Sequence, residues 1–322
     1  PLIPGAFSLV RLIMKYAILI VALLTSTALS QEVGENVVVI AESSAEIKIG
    51  KDVVQTVGRG NLLRIEKAND NSYLVTWEQQ SGWIDRADVL KPSAALQYFT
   101  EAIEREPTAH DYAVRGGLRW RRGEYDLSIA DLSEAIRRAP DRPDFWLERG
   151  NAWEGKGAHD NALANLTEAI RLNPQYALAY FNRGGVWFAL NEYDKAILDL
   201  SEAIRLHQQL FSISIAFVYS NRGLAWYHKG EYDRAISDYN QAVLNAPTPS
   251  YASLFYSNRA KAWCGQCEYG KALADYNQAI SLSPEDASIR NGLGWLLATC
   301  SNEQYRDGKE AIKQATKACE LN

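Results

Sequence analysis

One dipeptide recurs at a near-constant interval. Arg-Gly stands at Arg115-Gly116, Arg149-Gly150, Arg183-Gly184 and Arg222-Gly223, and Arg259-Ala260 continues the series. The small residues of these pairs lie 34, 34, 39 and 37 positions apart. The longer steps place insertions around residues 208–214 and 247–251, between repeats, where extra loop length costs little. A period of this size means a stack of small units, none of which buries its apolar side without a neighbour.

Other positions keep the same phase. Trp153, Trp187, Trp226 and Trp263 each follow the small residue by three. Ala162, Ala196, Ala235 and Ala272 follow it by twelve, and a second alanine comes seven later, at Ala135, Ala169, Ala203, Ala242 and Ala279. Gly123-Glu124-Tyr125-Asp126 returns at residues 230–233, with Asn191-Glu192-Tyr193-Asp194 between them. Pro140, Pro174, Pro247 and Pro284 close their repeats, because proline cannot continue a helix. Each copy reads as two antiparallel helices, about residues 143–155 and 158–172 in one of them. Gly150 and Ala162 are expected where the two backbones come close.

These residues resemble the tetratricopeptide repeat family, and the resemblance covers residues 93–322. It implies an α-helical solenoid, an α/α superhelix, with repeats at residues 108–141, 142–175, 176–214, 215–250 and 251–284. Residues 285–322 form a degenerate last copy, read from Gly292 and Trp295 with about seven extra residues before Ala311. Residues 93–107 carry Ala95, Phe99, Ala102 and Pro107 at the spacing of a second helix, and are expected to be a half-repeat that caps the stack. Terminal repeats of solenoids are atypical, since one face has no neighbour.

The chain changes character before residue 92. Met14 and Lys15 precede an apolar run from Tyr16 to Leu24, and Ala28-Leu29-Ser30 supplies the small residues of a secretory cleavage site. Residues 1–13 are expected to lie upstream of the translation start, and residues 14–30 to be a signal peptide cleaved near Ser30. The protein would then be exported: periplasmic, envelope-associated or secreted. The 14 residues from Tyr16 to Leu29 fall short of the ~20 that a membrane-spanning helix needs. Residues 33–91 hold short β-branched and aromatic runs, at residues 37–40, 53–57, 62–65 and 73–77, separated by turn residues. Tyr73-Leu74-Val75, Gly82-Trp83-Ile84 and Asp88-Val89-Leu90 resemble the end of bacterial SH3-like domains. The fold expected for the chain is thus a small all-β SH3-like barrel followed by the helical solenoid.

The chemistry offered by these residues is mostly structural. Apolar residues make up 47% and the net charge is −5, an acidic balance that argues against a nucleic-acid partner. Tryptophans at helical spacing, Trp153, Trp187, Trp226, Trp263 and Trp295, read as core between the paired helices. Arg115, Arg149, Arg183, Arg222 and Arg259 run in phase with Asp131, Asp199, Asp238 and Asp275, with Asn165 standing in the same column. This predicts a ladder of structural ion pairs, each contributing about 0–1 kcal/mol if it lies at the rim. Cys264-Gly265-Gln266-Cys267 falls on a helix-to-helix turn, without the second C-x-x-C that a zinc site needs. A local disulfide and plain thiols are both open there. Cys300 and Cys319 are candidates for a disulfide that pins the last loop. The four histidines are scattered, and no P-loop, Rossmann glycine pattern or nucleophile elbow occurs. No catalytic residue, metal site, cofactor or small-molecule substrate is indicated.

By the geometry of the resembled family, the first helix of each pair lines a concave face. The residues expected there are Trp120, Leu147, Phe181, Asn182, Phe188, Asn221, Tyr227, Asn258 and Lys261. Asparagine bonds a peptide backbone as both donor and acceptor, and aromatic rings give contact area at low entropic cost. The function expected is a non-catalytic protein–protein interaction scaffold of the cell envelope. A cell-wall adaptor binding peptidoglycan through the SH3-like module, and an accessory region of a larger enzyme, remain alternatives.

Overall fold

A computed structural model of the chain describes residues 36–40, 44–49, 52–58, 61–69, 71–77, 80–206 and 215–321. The expected upstream segment, signal peptide and cleavage site, and the insertion at residues 208–214, lie outside the described residues. The chain divides into two units, residues 1–138 and 139–322.

The first unit opens with seven strands: β1 (Asn36–Val39), β2 (Ser44–Ile49), β3 (Asp52–Gly58), β4 (Leu62–Ala68), β5 (Ser72–Trp77), β6 (Gln80–Asp85) and β7 (Val89–Leu90). They form one antiparallel sheet in the order β3-β2-β6-β5-β4-β1-β7, curled into a half-barrel. Bulges at Ile47/Lys48 and Ile65/Lys67 help to bend it. Alternate residues face one core: Val37 and Val39, Ala45 and Ile47, Leu63 and Ile65, Tyr73 and Val75, with Val57, Ile84 and Val89. Strands β2 and β6 went unforeseen as separate runs. In β2, exposed Glu46 and Lys48 alternate with buried Ala45 and Ile47, so its apolar content is low.

Three helices complete this unit: α1 (Pro92–Arg105), α2 (Ala109–Arg121) and α3 (Tyr125–Arg138). Val38 of β1 points away from the sheet's inner core and packs with Ala95 and Phe99 of α1 and Leu118 of α2. Ile40 and Leu90 join that cluster, and Tyr98 Oη donates to the Ile40 carbonyl at 3.3 Å. The sheet therefore covers the face of α1 that a preceding helix would cover in an interior repeat.

The second unit is five helical hairpins in succession. They are α4 (Pro143–Gly155) with α5 (His159–Leu172), α6 (Ala177–Ala189) with α7 (Tyr193–Arg205), and α8 (Ile215–His228) with α9 (Tyr232–Leu244). Then come α10 (Pro249–Gly265) with α11 (Tyr269–Leu282), and α12 (Ala287–Thr299) with α13 (Gly308–Leu321). Pro143 and Pro249 sit in the first turn of their helices, where the missing N–H is no loss. The turns within the first four of these hairpins share one device, a residue with positive φ: Gly157 (78°), Asn191 (60°), Gly230 (77°) and Cys267 (62°), matched by Gly123 (74°) in the first unit.

The small residue of the repeat sits where the paired helices cross. A Cβ on Gly150 would lie 2.9 Å from Leu166 Cγ, and one on Gly184 3.0 Å from Leu200 Cγ and 3.4 Å from the Ala196 carbonyl oxygen. Gly150 thus abuts Leu166 more closely than the Ala162 named from the sequence. Gly223 faces Tyr239 in the same way. Each contacted residue is sixteen positions on, the offset that also relates Ala260 to Tyr276.

The last hairpin departs from the expected phase. Gly294, not Gly292, is the crossing glycine: its Cβ would meet the Ala311 carbonyl oxygen at 3.2 Å, while one on Gly292 would meet Tyr276 of the preceding hairpin at 2.8 Å. Trp295 is therefore not core. It is 71% exposed, and Leu296 and Leu297 are buried instead. The expectation failed because two glycines, two residues apart, both satisfy the pattern.

Candidate functional site

The arginine column is fully engaged inside the fold. Arg183 Nε and Nη2 donate to the two carboxylate oxygens of Asp199 at 2.7 and 2.8 Å, and Arg259 holds Asp275 likewise at 2.8 and 2.6 Å. Arg115 holds Asp131 at 2.9 and 2.7 Å, with Arg119 joining at 2.7 Å. The aspartate side chains of these pairs are only 4–9% exposed, so they are not the rim pairs that the sequence suggested. Breaking a pair would leave a nearly dry carboxylate.

Four of these guanidinium groups also have a third contact, which the sequence reading did not use. Nη1 of Arg115, Arg183, Arg222 and Arg259 reaches Thr100, Thr167, Ser201 and Asn240 on the second helix of the preceding repeat, at 3.4, 3.1, 3.0 and 2.6 Å. One side chain thus ties three helices. Hydrogen bonding to the partner aspartate is the first cause that raises the Arg115 and Arg259 pKa values. Arg149 differs. It donates to Asn165 Oδ1 at 2.7 Å, and burial lowers its pKa.

The predicted binding residues divide. Leu147 is buried, 4% exposed, in the core beside Leu166 and Val186. It is not available to a ligand, because its column, three before the crossing glycine, faces inward, as buried Ser220 and Ser257 do. Phe181 is half-buried against the core. Asn182, Asn221 and Asn258 are half-buried on their first helices. Asn182 Nδ2 donates to Asn151 Oδ1 of the preceding hairpin at 2.8 Å. Phe188 packs on Tyr193 and His228, with ring centroids 5.5 Å from each. Trp120, in the first unit, is 39% exposed. Trp153, Trp187, Trp226 and Trp263 pack against the cores, half-buried, with a lysine ammonium 4.4–5.8 Å from each ring centroid.

Tyr227 and Lys261 meet in a pocket of about 290 Å³. Its walls come from α8, α10, α11 and α12, and include Tyr269, Tyr276, Gly292 and Trp295. Burial raises the Tyr227 and Tyr276 phenol pKa values. The Cys264 thiol at the pocket wall is pushed up to about 11, first by burial and then by the neighbouring Cys300 and Cys267.

All four cysteines are free thiols, and the bridge expected between Cys300 and Cys319 is not formed. Cys300 is buried at the end of α12, where its Sγ donates to the Asn302 carbonyl at 3.2 Å, whereas Cys319 is exposed on α13. Among the described residues no group of three or more His, Cys, Asp or Glu could hold a metal ion. No helix among them is long and apolar enough to cross a membrane.

Profiles of the tetratricopeptide repeat match residues 114–164, 159–210 and 216–249. The hairpins within residues 114–249 are tetratricopeptide repeats. Solved structures carry the same fold. A chain of the APC/C hetero-tetramer Cut9-Hcn1 superimposes with a TM-score of 0.56 at 17% identity, over 72% of this chain and 44% of that one. This chain thus spans less than half the length of that relative. The C-terminal part of a repeat-containing protein from Cytophaga hutchinsonii gives 0.56 at 18% identity, covering 72% of this chain and 92% of that one. A tetratricopeptide repeat protein from Parabacteroides merdae gives 0.54 at 17% identity, covering 72% and 87%. No curated protein sequence matches the chain.

Proposed function

We propose that this protein is a non-catalytic scaffold that binds a partner polypeptide on the concave face lined by the first helices of its repeats. The observation that carries this reading is the division of labour within those helices. The arginine column is consumed by internal pairing, while Asn221, Tyr227, Asn258 and Lys261 keep partly open side chains on the same helices. A column of amides and rings at repeat spacing suits an extended chain, which offers backbone groups at regular intervals. One relative of this fold was solved as a chain of the APC/C hetero-tetramer Cut9-Hcn1, an instance of the fold within an assembly of different chains. Replacing Asn182, Asn221 and Asn258 together by alanine tests the site. The partner should be lost with the circular dichroism spectrum unchanged, and unaltered binding would refute it.

The envelope setting is part of the same proposal. Its support is the leader-like segment ending at Ser30 and the likeness of Tyr73–Val75, Gly82–Ile84 and Val89–Leu90, which occupy β5, β6 and β7, to SH3-like domains. Sequencing the amino terminus of the exported protein should begin at Gln31. Retention of the chain on purified cell wall separates a wall adaptor from a scaffold that meets only protein.

A further inference from the structure

The register of the last hairpin creates a site that the regular repeats lack. Counted from the crossing residue, Lys261 follows Ala260 by one and Trp295 follows Gly294 by one. They are successive members of one column on neighbouring hairpins, and both are exposed. Between them the pocket opens. Gly292 forms part of its wall because a side chain there would run into Tyr276, 2.8 Å from Cε1. Tyr227 and Tyr269 complete an aromatic enclosure.

Two properties define what fits. The volume, about 290 Å³, lies at the bottom of the range of roughly 300–1,000 Å³ typical of whole small-molecule sites. It suits one large side chain rather than a cofactor. The charge is the second property. Lys261 is the sole ionised side chain on the wall, and its hydrogen-bond partner is the Asn258 amide oxygen at 3.5 Å. Lys195, Lys229 and Lys271 each pair with a carboxylate, those of Glu192, Asp194 and Glu268, but Lys261 has no acidic partner among the described residues. A cation beside an aromatic box, in a protein of net charge −5, is a local exception that complements an incoming carboxylate.

We propose that this pocket receives an aromatic side chain of the partner polypeptide, with Lys261 pairing an acidic side chain next to it in the partner's sequence. The inference rests on the scaffold reading above and names the feature that the partner must carry. Trp295 forms the lip that the entering ring stacks upon, and Lys261 selects acidic over basic flanks.

Calorimetric titration of the full chain with three acetylated, amidated pentapeptides tests this. Ser-Glu-Trp-Glu-Ser should bind, and Ser-Glu-Ala-Glu-Ser and Ser-Lys-Trp-Lys-Ser should bind at least about tenfold more weakly, as expected when an anchor residue is removed or its charge opposed. Trp295→Ala should weaken the first peptide by a similar factor, and Lys261→Glu should reverse the preference between the glutamate and lysine peptides. Both positions are exposed, so each variant should keep the parent circular dichroism spectrum. Equal binding of all three peptides, no binding of the first, or indifference to either substitution would overturn the proposal. So would N-acetyltryptophanamide binding as tightly as the peptide, which would make this a small-molecule site. Should the triple asparagine variant lose the partner while Trp295→Ala retains it, the pocket inference falls and the scaffold reading stands.

Discussion

Arg222 and Asp238, sixteen residues apart on α8 and α9, meet through two parallel hydrogen bonds, Nε to Oδ2 at 2.8 Å and Nη2 to Oδ1 at 2.7 Å. The Asp238 side chain is 6% exposed and that of Arg222 21%. Removing the cation strands the drier partner. Arg222→Ala should cost about 3 kcal/mol, toward the lower end of the range for opening a buried pair, in urea unfolding at neutral pH. Replacing both residues by apolar ones of similar volume should cost much less than that single change.

The α4–α5 hairpin has a neutral member in this column, and Asn165→Asp converts it to the pattern of the others. Arg149 would gain a carboxylate with two acceptor oxygens in place of one neutral amide oxygen, although the bond from Asn165 Nδ2 to the Asn161 carbonyl, 2.7 Å long, would be lost. A charge-assisted pair outweighs a neutral bond. The variant should be more stable by about 1 kcal/mol, read as a raised thermal midpoint.

Cys267 occupies the turn position held elsewhere by Gly123, Gly157, Asn191 and Gly230, with φ of 62°. A side chain there costs about 1–2 kcal/mol relative to glycine, partly offset by glycine's greater freedom when unfolded. Cys267→Gly should therefore stabilise the protein by about 0.5–1 kcal/mol in chemical denaturation. An unchanged or lowered midpoint would contradict this account of the turn.

Tryptophans of the same apparent series should separate by energy. Trp187, packed on the α6–α7 core under Lys195, should cost about 3 kcal/mol on truncation to alanine. Trp295→Ala should cost well under about 1 kcal/mol, as a surface change does. Equal losses would restore the regular register to the last hairpin.

Asp286 caps α12, accepting from the Ser288 and Ile289 backbone N–H groups at 2.9 and 3.3 Å and from Ser288 Oγ at 2.6 Å. The Ser288 hydroxyl first, and these amides after it, depress its pKa. A carboxylate lowered on folding stabilises above its unfolded pKa and loses that contribution as pH falls through the folded value. Asp286→Ala should thus cost about 1 kcal/mol at neutral pH. The difference between variant and parent should shrink in acid, below the ordinary aspartate range.

Much of the helical architecture was legible because its determinants are local and repeated. The crossing glycines, the alanines of the second helices and the closing prolines each answer a steric demand that recurs in every hairpin. Legibility failed where a demand could be met twice, as by Gly292 and Gly294, or where a short polar residue gave no sign of its partner. Thr100, Thr167, Ser201 and Asn240 each stand two before the second alanine of their helix, but short polar residues there suit a solvated face equally well, so the third arginine contact went unread. Leu147 was misplaced for a related reason. An apolar residue on a first helix serves core and groove equally well by composition, and only its phase, three before the glycine, decides. In the sheet, β2 escaped notice because half its residues are charged or polar and its edge partners are set by a fold-level curl.

The exposure of Trp295 gives the molecule an optical handle at the pocket. Trp153, Trp187, Trp226 and Trp263 are half-buried by packing, so the neutral quencher acrylamide should reach them poorly. The indole of Trp295 stands in water and should quench readily, until something seats beside it. Occupancy of this part of the groove can then be followed by light in the unlabelled protein, with no tag to perturb the contact being measured.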